Sequence, residues 1–329
     1  MNALMQRRRV ALTIGSALAS ATFGLPAVAQ AKDFPVRPVR LVVTFPAGSG
    51  PDTIARSIAP GMSEALGQQV VVDNRPGAGG NVAALSVLGE RHDGHTLLMG
   101  TDSIYSLNPF LFPKAGYDAN TDFVVVAPIA ETGVFLVVNT SLGVNNTQEL
   151  VALVKSQPGK LNVSAPTGTP HHLAAERFAA INGLQWTRIS YRDPQQAVTE
   201  LAAGLVPIAF STWPSIAPHV QSGKLRLLGV STPTRFESLP SVPALAESYP
   251  GFEESGWFAV LAPRGTPPAV LAALSEATQQ AREAPDLKPR LAIQGMRLIA
   301  ADGAAFDARI KREIQARADL IRSRGIRAD

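Results

Sequence analysis

The chain has 329 residues, too long for one ordinary domain and suited to two, and its 46% hydrophobic and 17% charged composition excludes an intrinsically disordered chain. Cysteine is absent, which removes a disulfide scaffold, a thiolate metal site, a cysteine nucleophile and a lipid-modified cysteine anchor. The formal charge of +4 falls to +1 once the first 31 residues, with three arginines and no acid, are set aside. That is too little for an electrostatic footprint on nucleic acid.

The N-terminus follows the plan of a secretory leader. Arg7-Arg8-Arg9 precede a short apolar run, and Ala29-Gln30-Ala31 supplies a small-x-small cleavage site. Cleavage is expected before Lys32, with Ala27-Val28-Ala29 the second choice. No other apolar run is long enough to cross a bilayer as a helix, so a soluble, exported protein is the expectation.

After Pro38 strand and helix patterns alternate. A buried strand over 39–45 leads through a Gly-rich turn to a helix from Pro51 to about Leu66, which Pro60-Gly61 should break or kink. Strands follow over 69–73, 95–100, 123–129 and 134–139, with a small-residue helix after the second. Helices over 147–157 and 170–182 flank a short strand at 162–165. Strands at 187–191, 207–210 and 225–231 enclose helices over 194–203 and 213–222. A last strand at 258–261 precedes a tail read as helices only. This alternation predicts an α/β fold with mainly parallel sheets flanked by helices, and the strand count fits two lobes better than one sheet. Ligands of such sheets gather at the carboxyl ends of strands, where helix N-termini point.

Two loops of one chemistry stand at such places. Pro46-Ala47-Gly48-Ser49-Gly50-Pro51 follows the first strand, and Ser164-Ala165-Pro166-Thr167-Gly168-Thr169-Pro170 does so in the second half. Each offers small residues, hydroxyls and backbone N–H groups before a proline that opens a helix. Such loops hold an anion without a formal positive charge. Asp102, at a strand end, suits a ligand amine or hydroxyl, or alternatively caps the next turn. Tyr105, Tyr191 and Trp213 also follow strand ends and suit a pocket wall, or ordinary core packing.

Other chemistry finds little support. Gly77-x-Gly79-x-x-Val82 approaches a dinucleotide fingerprint, but the third glycine is absent and Asn74-Arg75-Pro76 intervene after the strand. No Gly-x-Ser-x-Gly elbow occurs. His171-His172 open a helix on different faces, and His92, His95 and His219 lack ligand spacing. No metal, cofactor or catalytic residue is expected.

Phe45-Pro46-Ala47-Gly48-Ser49-Gly50-Pro51-Asp52, with Ala55-Arg56, resembles the opening motif of the tripartite tricarboxylate transporter receptors, also called Bug proteins. So does Leu66-Gly67-Gln68 with the stretch Val70 to Asn81, and Asp93-Gly94-His95-Thr96, Asn108-Pro109, Tyr117-Asp118, His172-Leu173, Trp257-Phe258 and Ala262-Pro263-Arg264-Gly265-Thr266-Pro267 continue in family order. The resemblance implies a two-lobed periplasmic binding protein (type II-like) with its ligand cleft between the lobes. Lobe 1 would hold 32–131 and 257–329, lobe 2 would hold 132–256, and the chain would cross near 131–134 and 254–257. It also implies a small organic carboxylate as ligand, the large and small membrane subunits of a secondary transporter as partners, and no enzyme activity. A monomer is the expectation.

Carried over by the motifs, Ala47, Gly48, Ser49, Asp52, Ser164, Gly168, Thr169 and His172 lie at or beside the site, joined by Asp102, Tyr191 and Trp213 from the strand-end reading. Ser49, Pro51, Pro166 and Arg192-Asp193 depart from the usual family residues, as do Asp102 and Trp213, which suggests an unusual ligand, aromatic or amine-bearing. A sensor feeding a two-component system, or a secreted enzyme on the same scaffold, are the alternative readings.

Overall fold

Runs rich in β-branched residues form eleven strands among the described residues, which in this computed structural model are 34–112, 114–191, 194–300 and 303–326. The expected leader and its cleavage point lie outside them. In chain order the strands are β1 (Val39–Val43), β2 (Val70–Asn74), β3 (Thr96–Thr101), β4 (Phe123–Gly133), β5 (Phe135–Asn139), β6 (Asn162–Ser164), β7 (Thr187–Ile189), β8 (Ile208–Ser211), β9 (Leu225–Val230), β10 (Ser255–Pro263) and β11 (Met296–Leu298). They build two sheets, ordered β11-β4-β10-β3-β1-β2 and β7-β6-β8-β5-β9.

Side-chain alternation explains why each sheet is covered on both faces. In the first sheet Leu41, Val43, Val260 and Ala262 pack beneath the helices Gly50–Leu66 and Pro268–Arg282. The intervening Val42, Ala259 and Leu261 face the opposite way, against the helices Asn81–Leu88 and Gly303–Arg324. In the second sheet Leu136 and Val138 meet the helices Thr147–Ser156 and Pro170–Asn182, while Phe135 and Val137 meet Ile216 of the helix Trp213–Gln221. A strand covered on both faces cannot afford an exposed position, and all nine residues of β10 are buried.

The two-sheet α/β class is as expected, but the sheets are mixed rather than mainly parallel. β1 pairs in parallel with β2 and β3, and β6 with β7 and β8, whereas β10 runs antiparallel to both β3 and β4. β5 is likewise antiparallel to β8 and β9. The cause is the path of the chain. β4 leaves the first sheet and continues after Val134 as β5 of the second, so the strand that returns, β10, must run against β4. Ser231 fastens the two passages together: its Oγ accepts from Val134 N at 2.8 Å and donates to Glu254 O at 2.5 Å.

Two local expectations are corrected. Pro60 does not end its helix, which runs unbroken from Gly50 to Leu66. Gly61 lets this helix approach Pro268–Arg282 so closely that a Cβ there would stand 2.9 Å from Ala281 Cα, and that packing outweighs the lost backbone bond. The C-terminal tail also contains β11, three residues paired antiparallel to β4 alone. So short an edge strand carries no periodicity of its own.

Candidate functional site

A cavity of about 380 Å³ opens between the two sheets. Its floor is Thr132, Gly133 and Val134, where β4 passes into β5. Its walls include Phe45, Ser49 and Gly50 from the turn after β1, Thr101 to Ser103 after β3, Pro170 and His171, and Thr212 and Pro214 after β8. All of these turns follow carboxyl ends of strands, so the cleft collects the first residues of three helices, Gly50–Leu66, Pro170–Asn182 and Trp213–Gln221. Their aligned peptide dipoles place partial positive charge around the cavity. No lysine or arginine lines it.

The turn after β1 is shaped from beneath. Asp52 is 3% exposed and accepts from Gly48 N (2.8 Å), Asn74 Nδ2 (2.9 Å) and Arg56 Nε (3.0 Å). Burial works against its charge, yet the bonds from Arg56, Gly48 and Asn74 hold its carboxyl below the ordinary range. Asp52 is therefore a brace under the turn and is absent from the cavity wall. Gly48 takes φ +81°, a conformation that favours glycine. Ala47 is exposed in the same turn and is not among the lining residues.

Of seven buried side-chain polar atoms without a hydrogen bond among the described residues, Ser49 Oγ, Thr101 Oγ1 and His171 Nδ1 all belong to residues lining this cavity. Buried polar groups are normally paired, and leaving one unpaired costs about 1–3 kcal/mol. Ser49 is the N-cap of its helix and Thr212 of its own, yet neither side chain caps. Burial pushes the His171 imidazole down to about 4, so it is neutral at pH 7. The arrangement offers hydroxyls, a neutral imidazole and helix ends, which together suit an anionic, hydrogen-bonding ligand.

The other sequence-derived residues divide. Ser164 and Thr169 line a neighbouring cavity of about 270 Å³ in the second sheet's half. Thr169 caps its helix, and its Oγ1 donates to Pro166 O at 2.7 Å. Gly168 has φ +68°, and its N–H donates to His172 Nδ1 at 3.3 Å. His172 is thus turned inward, 5% exposed, while His171 meets the cleft. Adjacent helical residues diverge by about 100°, so His171 rather than His172 lines the cavity.

Asp102 reaches the cleft wall, and its carboxylate is paired there with an arginine. Its Oδ2 accepts from Arg317 Nη1 at 2.5 Å, and Arg317 Nε also donates to Glu254 Oε1 at 2.7 Å. Its side chain does not cap the following turn. Tyr191 donates its hydroxyl to Glu200, and Trp213 packs on Phe135 at 6.0 Å between ring centroids, so neither lines the cleft. Tyr105 belongs to the core of the first sheet, tilted against Trp257.

Lining residues outside the sequence-derived set include His171, Thr101, Thr132, Thr212, Gln294 and Met296. A hydroxyl ending a strand was the available signal for Thr101. Nothing local pointed to Gln294 and Met296, which arrive through the pairing of β11 with β4.

The glycine-rich stretch after β2 is occupied structurally: Asn81 Oδ1 accepts from both Asn108 Nδ2 and Tyr117 Oη at 2.7 Å. Among the described residues no cluster of His, Asp and Glu could hold a metal ion, and no helix is long and apolar enough to cross a membrane.

Comparison with known proteins agrees with this geometry. The tripartite tricarboxylate transporter family receptor profile matches residues 54–326. Protein BugT of Bordetella pertussis (strain Tohama I) is 32% identical over 324 residues, 98% of this chain and 99% of its own. Rpa4515 of R. palustris, solved with adipate, superposes with a TM-score of 0.76 at 32% identity, covering 89% of this chain and 99% of that one. MatC of Rhodopseudomonas palustris, solved with bound malate, gives 0.71 at 29% identity, covering 88% and 100%. The chain belongs to the tripartite tricarboxylate transporter receptor family, whose members are periplasmic solute-binding proteins.

Proposed function

We propose that this chain captures a small organic carboxylate in the cleft between its two sheets and delivers it to the large and small membrane subunits of a tripartite tricarboxylate transporter. The observation that carries the reading is the convergence of three helix N-termini with the unpaired Ser49 Oγ, Thr101 Oγ1 and His171 Nδ1 on one cavity. Adipate and malate on the two relatives support the same ligand class. The chain acts as a receptor rather than an enzyme, since no nucleophile with an oriented base lines the cleft.

Two lobes, 32–131 with 257–329 and 132–256, close over the ligand by flexing near 131–134 and 254–257. Closure requires that the ligand bind the closed form better than the open one. Ser49 and His171 hydrogen-bond the carboxylate, Asp52 holds the first turn in place, and Gly168 with Thr169 shapes the second. The leader ends at Ala31, and the mature protein works in the periplasm as a monomer.

The test is a thermal shift on protein expressed from the full sequence, unfolded and refolded to remove carried-over ligand. The panel holds succinate, malate, adipate, citrate, nicotinate, benzoate and hexanoate. A ligand at 100 times its Kd adds about 2.7 kcal/mol. Stabilisation by at least one carboxylate is expected. Silence from a well-folded sample overturns the assignment.

A further inference from the structure

Beside the cleft lies a second cavity of about 270 Å³ within the half of the molecule built on the second sheet. His171 and Thr212 belong to the walls of both spaces, so the two adjoin across these side chains. Both have largely apolar walls, but they differ in the polar groups they add. The cleft gathers helix ends and unpaired polar atoms, whereas Ala197, Val198, Leu201, Ala209 and Phe210 face the second cavity. Of the hydroxyls there, Thr169 bonds Pro166 O and Thr212 bonds Ser215 at 3.1 Å, and Ser164 and Ser211 add two more small hydroxyls.

We infer that the side cavity is a subsite for an apolar tail, and that the natural ligand is a monocarboxylate bearing an alkyl or aryl group. This rests on the carboxylate reading of the cleft and narrows it. Among the described residues Asp102 is the only charged one lining either cavity, and Arg317 already neutralises it. A second carboxylate pushed past His171 would meet mostly aliphatic and aromatic side chains, with small hydroxyls but no lysine or arginine among the described lining residues, and desolvating a charge in such surroundings is strongly unfavourable. An alkyl or phenyl group gains there. A dry apolar cavity of about 150 Å³ accepts benzene, so this space has room for a phenyl ring or a short alkyl chain. The imidazole of His171, neutral and between the two, offers its nitrogen to the carboxylate and its ring face to the tail.

The experiment is a calorimetric titration of the refolded protein with butanoate, hexanoate, octanoate and adipate. Affinity is expected to rise about fourfold per added methylene along the monocarboxylates, the increment for burying one CH₂. Hexanoate should bind at least tenfold more tightly than adipate, which has the same six-carbon chain. Ala197→Phe, which fills the side cavity, should cut octanoate affinity at least tenfold and leave butanoate within twofold. The series on the unaltered protein decides the matter even if that variant folds poorly. Adipate binding as tightly as hexanoate, or a flat chain-length series, overturns the subsite while leaving the carboxylate receptor standing. Failure of every carboxylate overturns both.

Discussion

Arg317 Nη1 donates to Asp102 Oδ2 at 2.5 Å, joining the C-terminal helix to the wall of the cleft. Arg317 is 2% exposed and also bonds Glu254 Oε1 and Ser255 O, at the place where the chain re-enters the first sheet. Arg177 on the helix Pro170–Asn182 reaches the same Glu254 at 3.2 Å. One buried guanidinium therefore ties together the cleft, the returning passage and the last helix. Burial opposes its charge, but Glu254 and Asp102 hold it protonated.

Arg317→Ala is expected to destabilise the protein by about 3–5 kcal/mol, because it leaves Asp102 and Glu254 buried with a partner removed. Urea denaturation measures this, and a loss under 1 kcal/mol would contradict the account. Asp102→Asn should cost less, about 1.5–3 kcal/mol, since Glu254 still pairs the arginine.

His171→Phe separates binding from folding. The ring shape survives but the unpaired Nδ1 disappears, so stability should stay level or rise by about 1 kcal/mol. Carboxylate affinity should fall about tenfold, the equivalent of one lost hydrogen bond. Chemical denaturation and calorimetry on the same variant read the two signs, and a parallel loss of both would place His171 in the core instead.

The same side chain predicts a pH dependence. The folded protein holds the His171 imidazole at about 4, while the unfolded chain titrates near 6.5. Between those values the unfolded state binds more protons. Stability from this group is therefore complete above pH 6.5 and is lost as pH falls toward 4. The loss is at most about 3 kcal/mol, one unit being 1.36 kcal/mol. Stabilities of the parent and His171→Phe should lie close at pH 7 and separate as pH falls toward 4, the parent losing stability more steeply than the variant. Identical slopes would refute the assignment.

Asp52→Asn tests the brace under the first turn. The amide can keep the contact with Asn74 but loses the charge that Arg56 and the Gly48 N–H address. A charged hydrogen bond contributes about 1.5–3 kcal/mol, so stability should fall by roughly that amount. Ligand affinity should fall with it, because Ser49 moves with the turn. Unchanged affinity in a folded variant would show that the turn needs no brace.

How much of this was readable without coordinates follows from the range of the forces involved. Strand and helix alternation, the Gly-rich turns after 45 and 164 and the order of family motifs are local, set by backbone preference and side-chain period. They were enough for the α/β class and the family. Asp52 and Gly48 were placed in the right turn on that basis.

Tertiary structure decided the rest. Which of His171 and His172 faces the cleft depends on how one helix is rotated against its sheet, an angle no motif states. Asp102 is paired with an arginine 215 residues away. Met296 and Gln294 reach the cavity only because a three-residue edge strand pairs with β4. The direction of β10 followed from the chain's crossing out of the first sheet and back. Local chemistry determined which turns are rich in glycine and hydroxyls; long-range packing, which juxtaposes residues remote in sequence, determined which side chains share the cleft with them.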